Sequence, residues 1–273
     1  MKIKIRGIQY HYEIHQNKEQ LPFLVLLHGF MGNHSSFREI VPSLSEFCNP
    51  ITIDLLGHGE TEGSEMHYRF ASKEQTSDLI KLISEQFQYP LFLYGYSMGG
   101  RLALQVALQR TDLIQGLILE STTFGIENEQ ERQARQALDG QRADSIIGNF
   151  NQFLEEWKKL PIFESEFLTE QKRNEIEEIQ IRQDPVSMSN SLLGFGTGIM
   201  PCVKEHLDIL SMPVKLIAGA RDQKFTNIMS TMQNRIATAS LEIFEKANHR
   251  VHSEQPETLV QTIKQFIQTN TLK

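Results

Sequence analysis

The chain has 273 residues, of which 40% are hydrophobic and 22% charged, enough apolar material for one large core and too little charge for disorder. Its 27 basic and 34 acidic residues give a formal net charge of −7, which disfavours nucleic-acid and anionic-membrane binding. The two cysteines, Cys48 and Cys202, form neither a disulfide framework nor a zinc-binding spacing. No apolar run reaches the length of a membrane span, and residues 1–16 lack the apolar segment of a signal peptide. We therefore expect a cytoplasmic enzyme or binding module with no nucleic-acid or membrane partner.

Strand and helix patterns alternate along most of the chain. Apolar residues alternate with polar ones on both sides of Gly7, which predicts an antiparallel edge hairpin. A helix follows a predicted Ser72–Gln75 capping box, with Leu79 and Ile83 on one face. Continuous apolar runs predict buried strands at 22–30, 49–59, 90–100, 113–121, 213–222 and 240–249, and further helices are predicted at 101–110, 226–237 and 256–268.

The alternation stops between residues 124 and 206, where the sequence is polar, charged and helical in period. Strands that alternate with helices predict an α/β fold, with a mostly parallel central sheet and helices on both faces. Ligands of such sheets bind beyond the carboxyl ends of the strands. We therefore expect residues 1–123 and 207–273 to form the core, and 124–206 to form an inserted helical lid over the site.

The pentapeptide Gly95-Tyr96-Ser97-Met98-Gly99 has the form G-x-S-x-G, and it lies between a predicted strand and a predicted helix. This context is typical of a nucleophile elbow, in which a sharp turn lifts the serine hydroxyl above the sheet edge. The alternative is an ordinary helix start in which Ser97 only caps. The sequence favours Ser97 as a catalytic residue.

A catalytic serine needs a base, and the base needs an orienting acid, in the chain order Ser, acid, His for this architecture. Asp222 follows the strand at 213–222, and His249 follows the next strand. Asp54 is a poorer candidate because it precedes the elbow, and His252 is expected to be supportive or solvated. The predicted triad is Ser97, Asp222 and His249.

The turn His28-Gly29-Phe30 follows an earlier strand, and its glycine permits close backbone approach. The backbone N–H groups of Phe30 and Met98 are therefore predicted to form an oxyanion hole. The His11/His15 and His249/His252 pairs lack a third ligand, and Gly194–Gly198 opens no βαβ unit. We expect neither a metal nor an organic cofactor.

The segments LLHGFMG (26–32), DLLGHGET (54–61), GYSMGGRLAL (95–104), GARDQKF (219–225) and NHRVHSEQPE (248–257) resemble the α/β-hydrolase superfamily over nearly the whole chain. Several further features resemble one branch, the 2-succinyl-6-hydroxy-2,4-cyclohexadiene-1-carboxylate (SHCHC) synthase, or MenH, family of menaquinone biosynthesis. These features are Arg101 after the elbow, the E-R-x-x-R stretch at 131–135, Trp157 before LPIF, Arg182 near Asp184-Pro185, and Gly196-Thr197-Gly198 before Pro201.

The resemblance implies a substrate pocket lined by Tyr96, Arg101, Arg135, Trp157 and Arg182. Arginine suits bidentate binding of carboxylates, and a protein of net charge −7 needs local cations to bind a tricarboxylate. Two departures from the family pattern are visible. Met200 and Cys202 flank Pro201, where the family has glutamine and serine. In DLLGHG (54–59), Leu55-Leu56 stands where the family more commonly has Leu-Pro. The first departure is expected to alter the lid side of the pocket.

The resemblance implies a lyase that eliminates pyruvate from 2-succinyl-5-enolpyruvyl-6-hydroxy-3-cyclohexene-1-carboxylate. Two alternatives stay open at this point, because one fold and one triad host many reactions. One is a carboxylesterase or C–C bond hydrolase in which Ser97 is a nucleophile. The other is a non-catalytic ligand-binding homologue.

Overall fold

A computed structural model of the protein describes residues 1–271, which contain one eight-stranded sheet. The strands are β1 (Lys2–Ile5), β2 (Ile8–Ile14), β3 (Phe23–Leu27), β4 (Asn49–Ile53), β5 (Leu91–Tyr96), β6 (Ile114–Glu120), β7 (Val214–Gly219) and β8 (Ala239–Phe244). Their order in the sheet is β1-β2-β4-β3-β5-β6-β7-β8. The pairs β1/β2 and β2/β4 are antiparallel and all later pairs are parallel, so the predicted mostly parallel sheet is confirmed.

The α-helices are α1 (Val41–Leu44), α2 (Ser72–Gln86), α3 (Met98–Gln109), α4 (Glu129–Gly148), α5 (Phe150–Trp157), α6 (Glu170–Ile181), α7 (Pro185–Phe195), α8 (Gln223–Arg235), α9 (Val251–Glu254) and α10 (Pro256–Asn270). Short 3₁₀ turns join several of them. No helix within residues 1–271 combines the length and the apolarity that crossing a membrane requires.

The predicted elements differ from the observed ones mainly at their ends. The N-terminal hairpin forms as predicted, with Ile5 opposite Ile8 at the edge of the sheet. The predicted Ser72–Gln75 capping box does not form, because the N-cap of α2 is Ala71. Ser72 instead hydrogen-bonds to Gln105 on α3, and the Gln75 amide donates to the carbonyl of Phe70. Tertiary partners have replaced the local cap.

Alternate residues of the central strands pack into separate cores on the two faces of the sheet. On β3, Val25 and Leu27 join the core beneath α2, α3 and α8, whereas Leu24 and Leu26 join the core beneath α1 and α10. All four side chains are fully buried. This two-sided burial explains why the strand sequence is continuously apolar.

The chain between β6 and β7 holds the four helices α4, α5, α6 and α7 and no strand. Helices α4, α5 and α7 share a third, smaller apolar cluster, in which Phe153, Trp157 and Met188 pack with Met31 from the loop after β3. The insertion leaves the sheet at the carboxyl end of β6, so its helices lie on the side where the parallel strands end. We refer to residues 124–206 as the cap.

Candidate active site

The turn between β5 and α3 holds Ser97 in a strained backbone conformation, with φ of 50° and ψ of −106°. Such a conformation is rare for residues other than glycine and marks functional turns. A Cβ on Gly95 would collide with the backbone of Gly100, and one on Gly99 with the carbonyl of Leu27. Both motif glycines are therefore required for the elbow that presents the Ser97 hydroxyl.

Ser97, His249 and Asp222 are hydrogen-bonded in series. Ser97 Oγ lies 3.0 Å from His249 Nε2, and His249 Nδ1 lies 2.6 Å from Asp222 Oδ2. Asp222 and His249 are almost completely buried. The other Asp222 oxygen accepts the N–H of Phe225 at 3.2 Å, which fixes the carboxylate at the start of α8. This arrangement allows His249 to take a proton from Ser97 while Asp222 stabilises the imidazolium.

The two competing residues have other partners. His252 Nδ1 lies 2.9 Å from Glu120, and its ring packs edge-on against Tyr96 at a centroid distance of 4.5 Å. His252 is buried, so the expectation that it is solvated is wrong. Its contacts with Glu120 and Tyr96 are those of a supporting residue. Asp54 instead contacts His11 and His34, in a separate group of residues described below.

Two backbone N–H groups are available near Ser97. Neither the N–H of Phe30 nor that of Met98 donates a hydrogen bond to another group within residues 1–271. The Phe30 loop is fixed from behind by the buried His28, whose Nδ1 lies 2.8 Å from the Gly29 carbonyl and whose Nε2 accepts the N–H of Leu55. The two free donors fit the predicted oxyanion hole.

A cavity of about 370 Å³ opens above Ser97, between the strand ends and the cap. Most of the predicted site residues line this cavity, namely Phe30, Tyr96, Ser97, Met98, Arg101, Arg135, Trp157 and His249. Asp222 lies behind His249, as an orienting acid should.

Arg182 does not line the cavity, so the structure does not support the prediction that it is a pocket residue. It is exposed, and it caps the C-terminal end of α6. That helix turns Ile176, Ile179 and Gln180 towards the cavity. Arg182 lies beyond the last turn and faces solvent, a direction that sequence spacing alone does not fix.

Arg101 is buried and forms no ion pair within the described residues. Its guanidinium donates to the carbonyl of Phe195 at 2.6 Å and lies over the Phe195 ring at 4.5 Å. Burial, followed by the nearby charge of Arg135, lowers the pKa of Arg101 to about 9, so it stays charged at neutral pH. A buried cation without a counter-ion is costly unless a ligand supplies the anion.

The cap contributes Arg135 and Trp157. Arg135 Nε lies 2.8 Å from both carboxylate oxygens of Asp139, one turn further along α4. The buried indole N–H of Trp157 has no hydrogen-bond partner among residues 1–271. Since buried polar groups are almost always paired, this donor is available to a ligand in the cavity.

Five further cations that the sequence did not predict line the cavity, namely Arg38, Arg142, Lys172, Lys224 and Arg250. For two of them, Arg142 and Lys224, the sequence contained a signal. Arg142 lies seven residues after Arg135, which places both on one face of a helix, and Lys224 lies two residues after the predicted acid Asp222.

The departures at Met200 and Cys202 lie outside the cavity lining. Met200 is nevertheless buried, and its sulfur lies 3.5 Å from a guanidinium nitrogen of Arg101. Its influence on the pocket is therefore indirect, through the position of Arg101.

One group within residues 1–271, His11, His34 and Asp54, has the composition and spacing of a metal site. Nδ1 of His11 lies 2.9 Å from Asp54 and Nδ1 of His34 lies 3.0 Å from it, while the N–H groups of His34 and Glu60 also donate to this carboxylate. These four contacts satisfy the carboxylate without a cation. We interpret the group as a clamp between β2, the Phe30 loop and the turn after β4.

Comparisons with known proteins place these features in context. A family model described as the alpha/beta hydrolase fold matches residues 22–256. The 2-succinyl-6-hydroxy-2,4-cyclohexadiene-1-carboxylate synthase of Salmonella paratyphi C (strain RKS4594) is 30% identical, over 90% of this chain and 94% of that protein. A Bacillus subtilis (strain 168) protein, provisionally given the same name, is 35% identical over 89% of each chain. The solved structure of MenH from S. aureus has a TM-score of 0.91 and 31% identity, over 96% of this chain and 99% of that one.

Proposed function

The chain belongs to the SHCHC synthase family of the α/β-hydrolase superfamily, and from this premise we infer that it eliminates pyruvate from 2-succinyl-5-enolpyruvyl-6-hydroxy-3-cyclohexene-1-carboxylate. It is then a carbon–oxygen lyase, and its product is 2-succinyl-6-hydroxy-2,4-cyclohexadiene-1-carboxylate. The substrate is a small tricarboxylate, and we assign the reaction to the cytoplasm.

One observation supports this assignment beyond the fold: Arg101, which is buried and forms no ion pair with any residue of 1–271, lies in the same cavity as Ser97 and His249. A neutral ester has no anionic group with which this buried cation could pair. A substrate with three carboxylates supplies the missing negative charge, and a guanidinium is the side chain best suited to pair with it.

We assign the chemical steps as follows. Ser97 Oγ, having passed its proton to His249 Nε2, removes the ring proton beside the succinyl carbonyl. The N–H groups of Phe30 and Met98 stabilise the negative charge that develops on the carbonyl oxygen. As the succinyl carbonyl re-forms, a C=C bond forms between the deprotonated carbon and its ring neighbour, the existing ring C=C bond shifts by one position, and the bond between the ring carbon and the enolpyruvyl oxygen breaks. The departing enolate takes up the proton held by His249 at its terminal carbon and becomes pyruvate, while Ser97 keeps the ring proton as its hydroxyl hydrogen.

The esterase alternative keeps one supporting observation, because Ser97 Oγ at 3.0 Å from His249 Nε2 is also suited to nucleophilic attack. The experiment that separates the two is release of pyruvate from the enolpyruvyl substrate, followed with lactate dehydrogenase and NADH. Ser97→Ala protein is the control. Hydrolysis of p-nitrophenyl acetate without any pyruvate release would replace the lyase assignment with the esterase, and labelling of Ser97 by a fluorophosphonate tests the non-catalytic alternative.

A further inference from the structure

Seven cations line the cavity. Five of them are Arg101, Arg135, Arg142, Lys224 and Arg250, and the Arg250 guanidinium lies over the Phe163 ring, 4.1 Å from its centroid. At the outer mouth, by contrast, charges are balanced in pairs: Arg38 lies 2.5 Å from Glu175, and Lys172 contacts Glu39. The five inner cations have three carboxylates close by, those of Asp139, Asp222 and Glu254. The inner cavity therefore carries an excess of positive charge in a protein whose overall charge is negative.

Asp139 is committed to Arg135 and leaves Arg142 without a hydrogen-bonded partner. Both carboxylate oxygens lie 2.8 Å from Arg135 Nε, whereas the closest approach of Arg142 is 3.6 Å, beyond hydrogen-bond distance. The Arg142 guanidinium instead lies over the Trp157 ring, 5.3 Å from its centroid, with about a fifth of the side chain exposed at 21%. Its N–H donors are free to meet an anion.

Lys224, in the first turn of α8, forms no ion pair within the described part of the chain. Its ammonium lies 5.8 Å from the centroid of the Phe225 ring, although the residue keeps contact with solvent. Partial burial, followed by the charge of Arg135, lowers the pKa of Lys224; Asp222 opposes this shift and Arg142 adds to it. An anion placed among these groups would relieve the repulsion.

We propose that Arg142 and Lys224 are substrate-binding residues that hold carboxylates of the ligand, Arg142 from the cap and Lys224 from the core. This inference rests on the proposed function and names residues of the same cavity. Because the two cations belong to different parts of the molecule, a polycarboxylate that meets both connects cap to core.

The first test measures pyruvate release by Arg142→Gln and Lys224→Gln. We expect KM to rise about 10- to 100-fold for each, the range for loss of a hydrogen bond to a charged group, with a smaller change in kcat. Lys224→Arg should recover most of the affinity, because the charge remains. The matched controls are Arg132→Gln, also on α4 but off the cavity lining, and Arg221→Gln, beside Asp222 with its side chain 64% exposed. Thermal unfolding checks that every variant is folded.

Calorimetric binding of 1,3,5-benzenetricarboxylate at fixed ionic strength provides a readout that does not need catalysis. If wild type releases pyruvate while both glutamine variants match the controls in KM and in tricarboxylate binding, the inference is overturned and the proposed function stands. If wild type releases no pyruvate but tricarboxylate binding falls only in the Arg142 and Lys224 variants, the function is overturned and the anion site is supported. Absence of both activities would overturn both.

Discussion

The core side and the cap side of the cavity are built in opposite ways. On the core side Ser97, His249 and Asp222 are joined by hydrogen bonds of 2.6 to 3.0 Å, and the Phe30 loop is held by His28. On the cap side the Trp157 N–H has no partner within residues 1–271, and Arg142 has only a distant one. The reacting groups are preorganised, as electrostatic catalysis requires, whereas the recognition groups await a ligand to complete them.

The two parts also differ in packing. The apolar clusters of the core extend over both faces of the sheet, whereas the cap has one small cluster of its own, which includes Met31. The ends of the cap join the core cluster through Phe124, Phe195, Met200 and Val203. Ion pairs such as Arg38 with Glu175 add to this contact at the cavity mouth. The buried apolar residues of α4 and α5 lie in the small cluster alone, so these helices are suited to open and close while the sheet keeps the catalytic groups in place.

The largest effect is expected from the core. Ser97→Ala, Asp222→Asn and His249→Ala should each lower kcat for pyruvate release by about 10²- to 10⁴-fold, the usual contribution of a positioned acid or base. The double variants should lose little more, because the three residues act as one unit. Circular dichroism should show that each variant folds. Wild-type turnover by His249→Ala protein, with activity lost in a His252 variant, would show that the base is His252.

The next effect is expected from Arg101, a recognition group that the core supplies. Arg101→Ala removes a buried charge from a proposed ion pair with the substrate, which costs about 2–5 kcal/mol in comparable interfaces. We expect kcat/KM to fall about 10- to 1,000-fold or more. Arg101→Lys should recover only part of this, because an ammonium lacks the guanidinium's fork of donors.

Hydrolysis of a neutral ester, if the protein has such an activity, serves as the internal control for Arg101. It should be nearly unaffected by Arg101→Ala. A variant that keeps full pyruvate release but loses esterase activity would contradict the lyase assignment and favour the esterase.

A smaller effect is expected in cap dynamics. Amides of α4 to α7 should exchange with solvent through openings of lower free energy than those of β3, β5 and β6, because the cap has the smaller apolar cluster. Addition of a tricarboxylate should slow exchange in the cap and leave the central strands unchanged. Equal protection of cap and strands without ligand would contradict a mobile lid.

The smallest effect is expected from Arg182. Its side chain is exposed and outside the cavity, so Arg182→Gln should change kcat/KM by less than about threefold, in line with substitutions at exposed positions. The kinetic assay used for Arg101 provides the comparison under identical conditions. A loss of tenfold or more would mean that α6 turns in the liganded state and brings Arg182 to the substrate.

The sequence by itself determined the sheet, its edge hairpin and the nucleophile elbow. Continuous apolar runs such as Phe23–Leu27 have few alternatives to a strand buried on both faces. The carboxyl ends of parallel strands meet at one edge, so the order Ser97, Asp222, His249 already implied that these residues come together. The family resemblance added Arg101, Arg135 and Trp157, all of which line the cavity.

Only the tertiary structure decided which polar groups of the helices face the cavity and which have partners. The periodicity of the sequence predicts where the cap is helical but not which face of each helix turns towards the cavity. Arg182 was therefore predicted as a pocket residue, and Arg142 was not. The Ser72 cap failed for a related reason, since Gln105 on a neighbouring helix competes for the hydroxyl. Strand burial is a local property of the sequence, whereas the direction of a cap side chain depends on long-range packing that one sequence does not encode in its spacing.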